Sequence, residues 1–297
     1  MKTSAFKFKD FTDFLSRRTL LAILIVFAVA MVVNLVQPSF EEKEETVFIR
    51  VCKSTSKDSI LAVADSVVWP VLYQNVPNLQ DMDYKERMQK FIDMMLPSVL
   101  MAREKIIQQR HKVLEINAAV KSGRATVQDS LYLEEMKLTF KTNRVSEVLR
   151  RLHPHPVSIV LAQAAIESGW GTSRFVREAN NIFGIWSYNR NEKRIKASES
   201  RGETSVYLRK YDSLFESIYD YYLTIAKANA YKEFREARLY SDNPYRLIWY
   251  LSRYSEKRYE YVRSLRNVIE FNDLHNYDDY QLAKINKNDA IWQNLLD

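Results

Sequence analysis

The sequence predicts a mainly α-helical fold interrupted by one short β hairpin. Glycine is scarce, 5 in 297 residues, and there are only 7 prolines, so few breakers interrupt helices. Apolar residues recur at intervals of three and four through several long segments, the period of a helix with one buried face. A strand-like pattern with a glycine turn occurs in one stretch near residue 200. At 46% hydrophobic and 27% charged, the composition excludes a disordered chain, and the length suffices for one or two domains with a real core.

Taken in order, residues 20–36 form an uncharged, almost wholly apolar run of 17 residues. It is preceded by Lys2, Lys7, Lys9, Arg17 and Arg18 and followed by Glu41, Glu42, Glu44 and Glu45. These features predict an uncleaved, single-pass transmembrane helix in the cytoplasmic membrane, with the rest of the chain on its outer (periplasmic or cell-wall) side. The competing reading, a cleaved signal peptide at Ala28-Val29-Ala30, is disfavoured because the apolar run continues through that site. A polar stalk follows. Residues 98–118 then repeat Val99, Leu100, Ala102, Ile106, Ile107, Val113, Leu114 and Ile116 at helical spacing, with charged residues on the other face. Ser122-Gly123 ends that helix, and 130–140 reads as another.

Pro154 and Pro156 mark a boundary, and 157–168 supplies an apolar helix that Gly169 is suited to terminate. Residues 195–198 and 204–208 flank Glu199-Ser200-Arg201-Gly202-Glu203 as a small hairpin. Helices resume at 213–229, 243–252 and 259–271. The organisation expected is a tail and transmembrane anchor (1–40), a stalk and helical spacer (41–145), a folded domain (146–275) and a C-terminal tail (276–297).

The formal charge of +7 and pI near 9.2 favour an anionic partner without choosing among nucleic acid, lipid and acidic polymers. One cysteine, Cys52, excludes an internal disulfide, and no Cys/His cluster has metal-ligand spacing. His153 and His155, separated by proline, read as loop residues. No metal or cofactor is expected.

The densest chemistry lies between Glu167 and Trp186. Three of the five glycines, Gly169, Gly171 and Gly184, fall there, together with Trp170 and Trp186, two of five tryptophans. Indole faces suit the flat apolar faces of sugars. Glu167 closes its helix, where free carbonyls and apolar Ile166 and Trp170 favour the protonated acid. A carboxyl kept protonated near neutral pH is what a glycosidase general acid requires. Fifteen of the 18 tyrosines lie between Tyr188 and Tyr280. Most are read as core, and a few as lining a polar cleft.

The run Leu161-Ala-Gln-Ala-Ala-Ile-Glu-Ser-Gly-Trp-Gly-Thr-Ser-Arg-Phe175, followed by Ala179-Asn-Asn-Ile-Phe-Gly-Ile-Trp186, strongly resembles the bacterial N-acetylglucosaminidase family found in autolysins and the flagellar-rod muramidase. The closer likeness is to its Bax-like subgroup, over about residues 90–275. The resemblance implies a lysozyme-like helical lobe with a small β hairpin lobe and a cleft between them. It implies cleavage of the β-1,4 bond on the N-acetylglucosamine side of peptidoglycan strands. Glu167 matches the family's general acid. Asn181, Phe183 and Gly184 match its NNxFG segment, Tyr211-Asp212-Ser213 its segment closing the β lobe, and Tyr254 and Tyr261 its late tyrosines.

For the second carboxylate, Glu203 is preferred because it opens the second strand, with Glu199 across the turn and Glu192 as a third choice. Failing these, the substrate acetamido group or a tyrosine-held water assists. Partners expected are glycan strands and the cytoplasmic membrane, not nucleic acid. The rival functions are a lytic transglycosylase and a non-catalytic wall-binding scaffold.

Overall fold

The computed structural model describes residues 17–36, 45–197 and 205–296. The chain divides into two units, Met1–Glu45 and Thr46–Asp297. In the first, α1 spans Arg17–Val36. The expected transmembrane anchor is not supported: among the described residues, no helix is long and apolar enough to cross a membrane. The physical reason is length. The 17-residue apolar run rises only about 25 Å at 1.5 Å per residue, short of a hydrocarbon core about 30 Å thick. With the anchor go the single-pass topology, the cytoplasmic-membrane location and the membrane as partner.

The second unit is mainly helical, with three two-stranded sheets among the described residues. It opens with β1 (Arg50–Cys52), β2 (Val67–Val68) and β3 (Val71–Tyr73). β1 pairs with β3 in parallel, Val51 opposite Leu72. This stretch is folded onto the body, with Ile49, Ile60, Val68, Tyr73 and Leu79 buried.

α2 (Tyr84–Lys121) starts where the Asp83 carboxylate accepts from the backbone N–H groups of Lys85 and Glu86. It begins 14 residues before the helix expected from Ser98, and runs through Pro97. Proline forfeits only one backbone bond, and here it is buried among Met94, Met95, Leu96 and Leu100, whose packing holds the helix together. α3 (Val127–Thr139) opens with a reciprocal cap between Thr126 and Asp129. α4 (Val145–Arg151) leads to α5 (Val157–Ser168).

α5 is apolar on every side apart from a few polar groups, and residues 157–165 are all buried, so it is the central rod of the fold. Its first turn is held by Asp278, which accepts from Ser158 N (2.7 Å) and Ser158 Oγ (2.8 Å). After α6 (Arg174–Ala179) comes the antiparallel hairpin of β4 (Arg194–Lys196) and β5 (Tyr207–Arg209), Ile195 facing Leu208. Its turn, with Glu199 and Glu203, lies outside the described residues.

α7 (Leu214–Lys227), α8 (Lys232–Ala237), α9 (Pro244–Leu247, continued as a 3₁₀ turn to Leu251) and α10 (Tyr259–Phe271) complete the helical wall. α5 packs against α2, α10 and the 3₁₀ helix Leu274–Asp279. Finally β6 (Gln281–Leu282) pairs in parallel with β2, and α11 (Ala290–Leu296) buries Trp292.

Candidate active site

Glu167 stands in the last turn of α5, where the chain breaks sharply. Gly169, Trp170 and Gly171 all have positive φ, at 58°, 57° and 78°. A Cβ on Gly171 would sit 3.1 Å from Phe91 Cδ2 and 3.4 Å from Leu79 Cδ1, so only glycine lets this turn close against α2. Trp170 adopts the left-handed conformation that disfavours a side chain, and packs edge-on against Phe91 (5.5 Å between ring centroids) and Tyr84 (6.2 Å). These contacts tie the end of the Glu167 helix to the spacer helix.

At the helix end Ser168 Oγ donates to Ala164 O, Trp170 N donates to Ala165 O at 2.9 Å, and Ser173 N donates to Ser168 O at 3.0 Å. The pKa of Glu167 is shifted upward. Crowding by protein raises it, while a hydrogen-bonding interaction with the Tyr261 hydroxyl and the charge of Lys257 pull it down. The side chain still keeps an exposed surface.

Tyrosines surround the carboxyl. Tyr254 stacks on Tyr261 with ring centroids 5.5 Å apart and planes within 8°. Tyr231 lies 6.0 Å from Tyr254, and the Glu167 charge reaches Tyr221, Tyr231, Tyr254 and Tyr261, helping to raise the pKa of each hydroxyl. Both late tyrosines are thus brought to Glu167. Phe183 lies a layer deeper, stacked on Tyr221 at 4.2 Å.

The other candidates organise the β lobe. Asn181 is buried; its Nδ2 donates to Ile185 O and Arg209 O, and its Oδ1 accepts from Ile185 N. Tyr211 donates to Asp220 Oδ2 at 2.6 Å. Trp186 is 37% exposed and pairs through its backbone with Leu208. Glu192 is engaged in an ion pair with Arg209. Glu199 and Glu203 fall outside the described residues. A cavity of about 420 Å³ between Phe140, Arg151, Asp220 and Lys227 contains none of these candidates.

Sequence reasoning missed Gln163, Tyr221, Tyr231, Lys257, His155 and Arg238. The only available signal was a glutamine inside an otherwise apolar helix, one turn before Glu167. His155, read as a loop residue, is in fact 3% exposed.

Residues 143–274 match the glucosaminidase family, described as mannosyl-glycoprotein endo-beta-N-acetylglucosaminidase. Protein bax of Escherichia coli K12 is 30% identical over 117 residues, 39% of this chain and 40% of that protein. Exo-glucosaminidase LytG of Bacillus subtilis 168 is 30% identical over 132 residues, 41% of this chain and 46% of that protein. The chain therefore spans less than half the length of the curated relatives it matches. Among solved structures, the catalytic domain of the autolysin Auto from Listeria monocytogenes aligns at 21% identity and a TM-score of 0.35, over 60% of this chain and 88% of that one. The glucosaminidase match spans the Glu167 helix, the tyrosine cluster and the hairpin, and over residues 143–274 the chain is similar to that family.

Proposed function

We propose that the chain is a peptidoglycan hydrolase that cleaves the β-1,4 bond on the N-acetylglucosamine side of the glycan strand, with residues 146–275 as its catalytic domain and Glu167 as general acid. One observation carries this reading: Glu167 is a solvent-reachable carboxyl whose pKa is raised by crowding, set beside the Tyr261 hydroxyl in a cluster of tyrosines. In this scheme the protonated Glu167 gives its proton to the glycosidic oxygen as the bond to the anomeric carbon breaks. Tyr254 and Tyr261 lie beside the developing carboxylate. Trp186, Phe183, Asn181 and Tyr211 shape the floor on the hairpin side. Glu203 is the proposed second carboxylate and Glu199 its alternative.

The test is a zymogram on purified peptidoglycan with the full chain and its Glu167→Gln variant. We expect clearing by the parent and activity lower by about 10²-fold or more in the folded variant. Near-normal turnover by Glu167→Gln removes that residue from the mechanism. Mass spectrometry of the released ends reads the bond: reducing N-acetylglucosamine supports the proposal, and anhydro-muramic acid identifies a lytic transglycosylase instead.

A further inference from the structure

Behind Glu167 a line of polar side chains crosses the apolar core. Arg238 Nη1 lies 3.2 Å from His155 Nδ1, and His155 Nε2 lies 3.1 Å from the Tyr221 hydroxyl. That hydroxyl donates to Gln163 Oε1 at 2.6 Å, and Gln163 Nε2 donates to the Tyr261 hydroxyl at 3.0 Å. Tyr261 in turn interacts with the Glu167 carboxyl. Arg238, His155, Tyr221, Gln163 and Tyr261 are each at most 4% exposed, so the line is shielded from water along its length.

Its polarity is dictated from the far end. A guanidinium can only donate, so His155 Nδ1 must accept and the ring proton sits on Nε2. Burial and the charge of Arg238 hold His155 well below its ordinary pKa, which keeps the ring neutral with that single proton. Arg238, drawn down to about 9, stays cationic at neutral pH. Nε2–H makes the Tyr221 oxygen an acceptor, so the Tyr221 proton goes to Gln163 Oε1. The amide nitrogen of Gln163 then faces the Tyr261 oxygen, and the one proton of Tyr261 is left for Glu167.

We propose that Gln163, Tyr221, His155 and Arg238 are positioning residues that lock the Tyr261 hydroxyl as a donor to Glu167, so that the acid turns its proton to the substrate and not into the protein. This rests on the reading of Glu167 as the general acid. With Gln163 donating to its oxygen, Tyr261 could accept from the protonated carboxyl as well only by turning its own proton away from Glu167 into the buried core, at the cost of an unpaired donor. The acid proton therefore sits on the oxygen turned from Tyr261, at the exposed mouth. Once that proton has passed to the glycosidic oxygen, the donor that stabilises the carboxylate is already aimed. No proton travels along the line. The ionisable groups that share the Glu167 field are Tyr221, Tyr231, Tyr254, Tyr261 and Lys257.

Gln163→Glu tests the direction. It keeps the shape and replaces the amide donor by a carboxylate that only accepts, which turns Tyr261 away from Glu167. We expect kcat on peptidoglycan to fall about tenfold or more with KM held within about twofold. We also expect the ¹³C carboxyl titration of Glu167 to move to higher pH. In a Tyr261→Phe background, where no hydroxyl remains to be turned, the same substitution should add little to the loss of kcat and should shift the titration only by the smaller amount that the added negative charge itself produces. Unchanged kcat and titration, or equal effects in both backgrounds, overturns the proposal. If Gln163→Glu does not fold, Arg238→Lys and Arg238→Gln replace it. Lysine is still only a donor and should preserve kcat, whereas glutamine releases the polarity and should not; equal kcat in those two overturns the proposal. A wild type inactive on peptidoglycan sinks the hydrolase reading, and the titration pair then still decides the positioning line. An active wild type with unmoved variants sinks the line alone.

Discussion

His155 shows how a single buried residue couples the site to the solution. Its folded pKa is depressed while its unfolded pKa is the ordinary one near 6.5. Below that value the unfolded chain gains a proton that the folded ring refuses, so folding stability is lost as pH falls from about 6.5 toward the folded pKa. The slope for one such group is at most about 1.4 kcal/mol per pH unit. His153, also depressed by burial, contributes with the same sign. Glu167, raised by crowding, contributes with the opposite sign nearer its own range. Thermal melts between pH 7 and 5 should therefore show a falling midpoint, and a His155→Gln variant should show a shallower fall than the parent. Parallel slopes would mean that His155 is not held neutral by the fold.

At the scale of elements, the turn after α5 packs the end of the Glu167 helix against α2. Gly171 has φ near 78°, and an added methyl would press on Phe91 and Leu79. Gly171→Ala should cost about 1–2 kcal/mol from the left-handed backbone alone, with more from the displaced ring. Because the same turn holds Trp170 against Tyr84 and Phe91, the substitution should also lower kcat by shifting the end of α5 that carries Glu167. A melting curve and a turnover measurement on one preparation separate the two effects. A stable variant with reduced kcat would place the constraint on the site, and unchanged values for both would show that α2 yields easily. The hairpin is tied in by a different device: Asn181 bridges the turn at Ile185 to Arg209 of β5, and Asn180 links Tyr211 O to Gln74 O of the N-terminal stretch.

Across the second unit, its own two ends meet. Asp289 is 4% exposed; its Oδ2 accepts from Ile49 N at 2.6 Å, and its Oδ1 accepts from Ile291 N and Trp292 N at the start of α11. One carboxylate thus caps a helix and closes a contact across 240 residues of sequence. Asp289→Ala leaves two buried donors and one half-buried donor unpaired and should destabilise by about 2–3 kcal/mol. Hydrogen exchange should rise first in 46–52 and 281–296, while α5 keeps its protection. Uniform loss of protection would mean that the ends and the central helix open as one cooperative body.

Local sequence chemistry determined the helices and their breaks. The spans 157–168 and 259–271 coincide with α5 and α10, and the expected strands 195–198 and 204–208 overlap the paired strands β4 and β5, because apolar period, caps and glycine positions act over a few residues. The Glu167 to Trp186 run also pointed, from sequence, to the family whose model matches residues 143–274, since it is one continuous segment. The apolar run at 20–36 formed a helix as expected, yet periodicity and hydropathy alone overreached on what that helix does. Tertiary structure alone decided the parallel pairings of β1 with β3 and of β2 with β6. Strands of two or three residues carry no periodic signal, and their partners lie as far as 214 positions away. It alone brought Tyr261 to Glu167, and it alone aligned Arg238, His155, Tyr221 and Gln163 behind them. Each of those residues looks ordinary in its own segment. The direction of a hydrogen-bonded line is a property of the contacts between segments, and only the folded packing creates them.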